Sequence, residues 1–188
     1  MSAQAAGEPF LARSDVFEFL LDHPEFATHI TRALKLARYR IWRGPEGGLW
    51  LDDGWGVRGT FAVVYAEPGL RLMHAQGAYQ SALPDIKGRA VVALAYKFQP
   101  AAPGRSQVLT TLTSFVQIDS TVVRTIGRMG GPLVQKKADR EARQLLKVFA
   151  KVSRAIEDNP ADVYARLRER PDIPKAELEE FRKLLRVP

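Results

Sequence analysis

Residues 132–157 read PLVQKKADREARQLLKVFAKVSRAIE. Apolar side chains recur three or four apart, at Val134, Ala138, Ala142, Leu145, Phe149, Val152 and Ile156. That spacing draws one apolar stripe down a helix. Lys136, Lys137, Arg140, Arg143, Lys147, Lys151 and Arg154 fill the other faces. Gly130 and Gly131 interrupt the preceding pattern. Pro132 suits a first helical turn, where its missing N–H would have no partner anyway. Asn159-Pro160 stops the run. About 26 residues at ~1.5 Å rise span roughly 39 Å, enough to cross a whole sheet. The stripe needs an apolar partner, and the rest of the chain must supply it.

Upstream, the period changes from three or four to two. Alternation predicts strands over 36–43, 49–51, 55–66, 70–79, 88–99 and 105–118. The turns between them carry Gly44-Pro45-Glu46-Gly47-Gly48, Asp52-Asp53-Gly54 and Glu67-Pro68-Gly69. Short turns of this kind join consecutive antiparallel strands into a meander of five to six. Two short helices precede every strand: 15–21, capped by Ser14, and 25–34, with Pro24 in its first turn. After the meander come a helical piece over 121–129, a Gly-Gly-Pro kink and the long helix. Two more short helices follow, over 161–170 and 174–186. The predicted fold is α+β: a curved antiparallel sheet wrapped around the long C-terminal helix, with extra C-terminal helices. Residues 13–157 form the ligand-binding domain of this reading. Residues 158–188 are a helical extension packed on it.

This order resembles the START/Bet v-type helix-grip superfamily, also called SRPBCC, which includes lipid-transfer domains and polyketide cyclases. The resemblance rests on the helix pair DVFEFLLDHPEFATHI, the hairpin GTFAVVYAEPGLRLMHAQGAY, the strand KGRAVVALAYKFQP, and the closing strand and helix. It covers roughly residues 13–157 and involves no short invariant motif. It implies a cup in which the sheet grips the helix and an apolar cavity holds a hydrophobic molecule. The extension past Pro160 departs from that pattern.

Composition agrees with a folded chain: 46% hydrophobic and 26% charged over 188 residues. There is no cysteine, which excludes a disulfide framework, thiol catalysis and cysteine metal sites. No apolar run approaches the ~20 residues of a membrane span. The net charge of +7 is uneven. Residues 1–119 carry 12 basic and 11 acidic side chains (+1), and residues 120–188 carry 16 and 10 (+6). The basic C-terminal helices suit transient contact with an anionic membrane surface. Phe149 is the only aromatic within 132–157, which argues against a nucleic-acid stacking platform. The N-terminal MSAQAAGEP has no apolar core of a signal peptide, although Ala3-Gln4-Ala5 resembles a cleavage site. A cytoplasmic chain with a disordered start and an exported mature form both fit.

No phosphate-cradling glycine loop, HExxH or GxSxG motif is present, and no cofactor or metal is expected. Asp52 and Asp53 read as turn residues rather than an acid/base pair. Trp42, Trp50 and Trp55 read as core first, and otherwise as a rim that touches membrane. In strand 70–79, Leu70, Leu72, His74 and Gln76 share one face. If that face lines the cavity, His74 and Gln76 orient a ligand, and His74 becomes the weak candidate for a general base. Alternation places Phe61, Val63, Tyr65, Val92, Leu94, Tyr96 and Leu112 on the sheet's cavity wall, and Val134, Ala138 and Leu145 on the helix opposite. The function expected is binding, with or without carriage, of a hydrophobic small molecule or lipid. The alternatives are a cyclase/aromatase-like enzyme using His74, Tyr65 or Tyr96 in the same cavity, and a basic membrane-surface protein.

Overall fold

The computed structural model describes residues 2–80, 85–119 and 130–187, the side chains of 130–135 and 137 excepted. Its strands are β1 (Ser2–Ala6), β2 (Phe10–Ala12), β3 (Arg40–Arg43), β4 (Leu49–Asp52), β5 (Val57–Glu67), β6 (Leu70–Tyr79), β7 (Ile86–Ala102) and β8 (Arg105–Ile118). They form one eight-stranded antiparallel sheet in the order β1-β8-β7-β6-β5-β4-β3, with β2 also paired to β8. The helices are α1 (Ser14–Asp22), α2 (Pro24–Ala33), α3 (Gly130–Asp158), α4 (Pro160–Arg168) and α5 (Lys175–Leu185). The fold is α+β, with the sheet packed against α3 and the further helices beyond it. The meander from β3 to β8 is as the turns predicted.

The N-terminus corrects the sequence reading. Two strands, not a disordered segment, precede α1 and extend the sheet past β8. Ala3 and Ala5 are buried while Ser2, Gln4 and Ala6 are not. The alternation is real but is written in alanine, a weak strand former, and its partner lies about a hundred residues away. Other boundaries also move. The strand expected over 36–43 begins at Arg40, because Lys35 takes a positive φ of 55° and the chain leaves α2 irregularly. Ser14 is the first helical residue rather than the cap, which is Arg13 and makes no side-chain capping bond. The helix expected over 121–129 lies outside the described residues.

Register defines the two faces of the sheet. Leu94, Tyr96, Val108 and Leu112 pack with Ala142 and Leu146 of α3, together with Phe17 of α1. Their face is the inner one. The opposite flank of α3 is also buried: Val148, Val152 and Ile156 pack with Val16, Phe19, Phe26 and Ile30. Val163 and Leu167 of α4 and Phe181 and Leu185 of α5 join that cluster. Helix α3 is thus held between the sheet and a helical layer. The single stripe predicted from its sequence becomes two, because Val148 joins the cluster shared with the helical layer.

One inner row is unusual. Leu51 pairs with Gly59, Gly59 with Gly77, Gly77 with Gly88, and Gly88 with Ile118. A Cβ on Gly59 would lie 2.3 Å from the Gln76 carbonyl oxygen; on Gly77, 2.6 Å from that of Arg58; on Gly88, 2.7 Å from that of Gln117. Only glycine permits so close an approach of neighbouring backbones. The row creases the sheet across three strands, a known device for curving one.

Candidate ligand-binding face

Beyond the glycine row the inner face is mostly apolar. Phe61 pairs with Ala75 and Ala75 with Ala90. The next inner row sets Val63 beside Met73, Met73 beside Val92, and Val92 beside Ser114. Then Arg71, Leu94 and Leu112 follow. Helix α3 lies mainly over β1, β2 and β8, where Leu94 and Leu112 are sealed. Toward β5 the cover thins: Phe61, Met73 and Val92 are half-buried, and Val63 is 40% exposed. From α3, Ala138 and Leu145 are half-buried. The side chain of Val134 lies outside the described residues.

The expected cavity set therefore divides. Phe61, Val63, Val92, Leu94 and Leu112 share the inner face. Leu72, His74 and Gln76 do not: their partners Ala93, Val91 and Arg89 alternate with the inner residues of β7. His74 and Gln76 are exposed on the outer face. The inner residues of β6 are Arg71, Met73, Ala75 and Gly77. The binary pattern misled here because an arginine stands at a buried position while two leucines stand outside. Tyr65 also leaves the inner face. The register slips between Val63 and Tyr65, so Tyr65 pairs with Leu72 and its hydroxyl donates to Glu67 at 2.7 Å. A bulge of this kind re-aims every side chain after it.

Tyr96 is inner but engaged. Its hydroxyl lies 2.7 Å from both carboxylate oxygens of Glu18. Arg71 Nη1 donates to the Tyr96 oxygen at 2.9 Å and to the Glu67 and Leu70 carbonyls. Its Nη2 donates to Glu18 at 2.6 Å and Asp22 at 3.0 Å. Burial, then the Glu18 hydrogen bond, push the Tyr96 phenol up to about 12. This cluster ties α1 to β6 and β7. His74, Tyr65 and Tyr96, the three proton-transfer candidates, are thus not brought together.

The outer face has its own relief. Ser2, His74, Val91 and Phe115 share a cross-strand row and line an open depression of about 540 Å³ with Arg89 and Gln117. Trp42 and Trp50 stack there, 6.3 Å between centroids. The tryptophans correct the core expectation: Trp50 and Trp55 are exposed and Trp42 is half-buried.

At one end of the inner face the β4–β5 turn presents residues that the cavity set omitted. Asp52 Oδ1 accepts from the Gly54 N–H at 2.8 Å. Asp53 Oδ1 accepts from the N–H groups of Trp55 and Val57, at 2.7 and 2.9 Å. Gly54 and Gly56 take positive φ, 76° and 111°, to close this turn. Asp52 faces outward to Arg58. Asp53 is buried on the inner side, and the Tyr39 ring meets that of Trp55 at 5.7 Å. The adjacency of Asp52 and Asp53 did signal opposite facing, but the approach of Tyr39 depends on the β3–β4 register.

Among the described residues, no group of three His, Cys, Asp or Glu side chains is set to hold a metal ion. No described helix is long and apolar enough to cross a membrane. No family model matches the chain, and no curated protein does. A crystal structure of a conserved protein from Geobacillus kaustophilus is similar over 85% of this chain and 97% of its own, at 15% identity and a TM-score of 0.48. The antiparallel sheet with its long C-terminal helix is consistent with a helix-grip-like fold.

Proposed function

We propose that the protein binds a hydrophobic small molecule or lipid on the inner face of the sheet, beside α3, and acts as a binder or carrier. One observation carries the reading. Val63 stands in an inner row with Met73 and Val92, yet is 40% exposed. Apolar side chains turned toward a core but left accessible are what a ligand pocket offers. The crease through Gly59, Gly77 and Gly88 adds room at the same face. The arrangement supports membership of the helix-grip superfamily, whose members hold apolar ligands between sheet and helix. Phe61, Val63, Met73 and Val92 form the wall, with Ala138 and Leu145 on α3. Contact with an anionic membrane surface through the basic C-terminal helices would serve loading and delivery.

Native mass spectrometry of the purified protein and titration with an uncharged fluorescent lipid probe test this directly. A saturable one-to-one complex is expected. Val63→Arg should weaken it by tenfold or more, on the order of the ~1.4 kcal/mol that a charge placed against an apolar chain readily exceeds. His74→Ala, on the outer face, should leave it unchanged. Absence of any bound molecule together with no saturable probe binding would refute the proposal.

A further inference from the structure

The corner built by Tyr39, Asp53 and Trp55 closes one end of the apolar wall, and it has the wrong chemistry for plain core. Asp53 is 4% exposed. Its Oδ1 is occupied by two backbone N–H groups, but its Oδ2 is buried with no hydrogen-bond partner among the described residues. A carboxylate oxygen removed from water and left unpaired is costly, and in native proteins such atoms usually face a donor or a cation. The Tyr39 and Trp55 rings meet at 79°, and the Trp55 backbone N–H is one of the two donors to Asp53 Oδ1, so the aromatic pair and the carboxylate belong to one corner. Trp55 is 45% exposed, so one side of the corner borders solvent. The Tyr39 phenol is raised above its ordinary range, first by burial and then by the carboxylates of Glu141 and Asp53.

We infer that this corner is the head-group subsite of the inner face, and that the ligand is an amphiphile with an ammonium head and an apolar tail. The inference rests on the reading of the inner face as a ligand site and adds the chemical class of the ligand. Aromatic faces and a desolvated carboxylate together select an ammonium, primary or quaternary. They disfavour a phosphate, sulfate or carboxylate head. The sign is opposite to that of the whole chain, whose net charge of +7 attracts anions. The tail would run from the corner across the glycine row to Val63 and Met73. Val57 and Val63 lie six residues apart on β5, roughly 20 Å at ~3.3 Å per residue.

The test compares dodecyltrimethylammonium with dodecyl sulfate, both below their micelle concentrations, by calorimetric titration of the full chain. The expected result is a preference for the ammonium of roughly tenfold or more, as aromatic and carboxylate contacts to a desolvated cation give. Asp53→Asn keeps an oxygen for the Trp55 and Val57 N–H groups and should abolish the preference, with circular dichroism checking the fold. Trp55→Leu, at an exposed position, should weaken the ammonium roughly threefold to tenfold and leave the sulfate unchanged. Equal or tighter binding of the sulfate, sensitive to Val63→Arg, would overturn the head-group inference and leave the apolar site standing. Retention of the preference in Asp53→Asn would overturn it as well. No saturable binding of either amphiphile would overturn both readings.

Discussion

Replacing Arg71 with alanine should cost the fold about 3 kcal/mol, and the structure says which groups set that figure. The guanidinium makes five hydrogen bonds, and its side chain is 9% exposed. Asp22, at 55% exposure, rehydrates when the arginine goes and contributes little. Glu18 is 30% exposed and keeps only the Tyr96 hydroxyl. Two backbone carbonyls, of Glu67 and Leu70, also lose a donor. Truncating one partner of a buried pair typically costs about 3–5 kcal/mol. The partial exposure of Glu18 puts this case at the low end. At roughly 2–4 °C per kcal/mol for a chain of this size, the melting temperature should fall by about 10 °C. Urea unfolding followed by circular dichroism measures the change. The double variant Glu18→Met with Arg71→Met removes both charges, so its cost should fall short of the summed single costs by about 1.5 kcal/mol or more. A loss below ~1 kcal/mol for the single variant, or additivity within ~0.5 kcal/mol, would refute the account of this cluster.

Further outcomes follow from single residues. Tyr96 has its phenol raised to about 12, so it contributes stability that is intact below about pH 10 and is lost as pH rises through about 12; Tyr96→Phe should flatten that alkaline decline in denaturant titrations at stepped pH. Gly77→Ala would place a methyl 2.6 Å from the Arg58 carbonyl oxygen and should cost about 1–3 kcal/mol, read as a lowered urea midpoint. Phe181, fully buried against Phe19 and Phe26, should cost about 3–5 kcal/mol when cut to alanine; because α5 shares its core with α1 and α2, that loss should appear in one cooperative transition rather than as separate melting of the tail.

The elements that carry strong periodicity were legible from sequence: α1, α2, α3 and the strands from β5 to β8. Their identity is local, set by alternation and by punctuation with glycine and proline. What was not legible depends on pairing across distance. Ala3 and Ala5 declare a strand only once β8 lies beside them. Arg71 points inward because Glu18 and Tyr96 are there to receive it, and this reverses the facing that Leu70 and Leu72 suggest. The slip at Val63 moves Tyr65 outward, and nothing in VVY marks a bulge. Val148 reads as an off-stripe position until the helical layer packs beside it. In the candidate site, Phe61, Val63 and Val92 were found by alternation. Tyr39, Asp53 and Trp55 were missed because they come from a turn and a loop, where periodicity says nothing.

The glycine row has a mechanical consequence. A concave sheet stiffens when side chains on its hollow side meet one another. At Gly59, Gly77 and Gly88 nothing stands on that side, so resistance to bending there is that of the backbone alone. The row crosses the strands instead of following one, and it separates their main spans from a narrow rim that carries Val57, Tyr79 and Ile86. That rim is continuous with the Asp53 turn. A change of sheet curvature would therefore fall at this row, where it requires no strand pair to break.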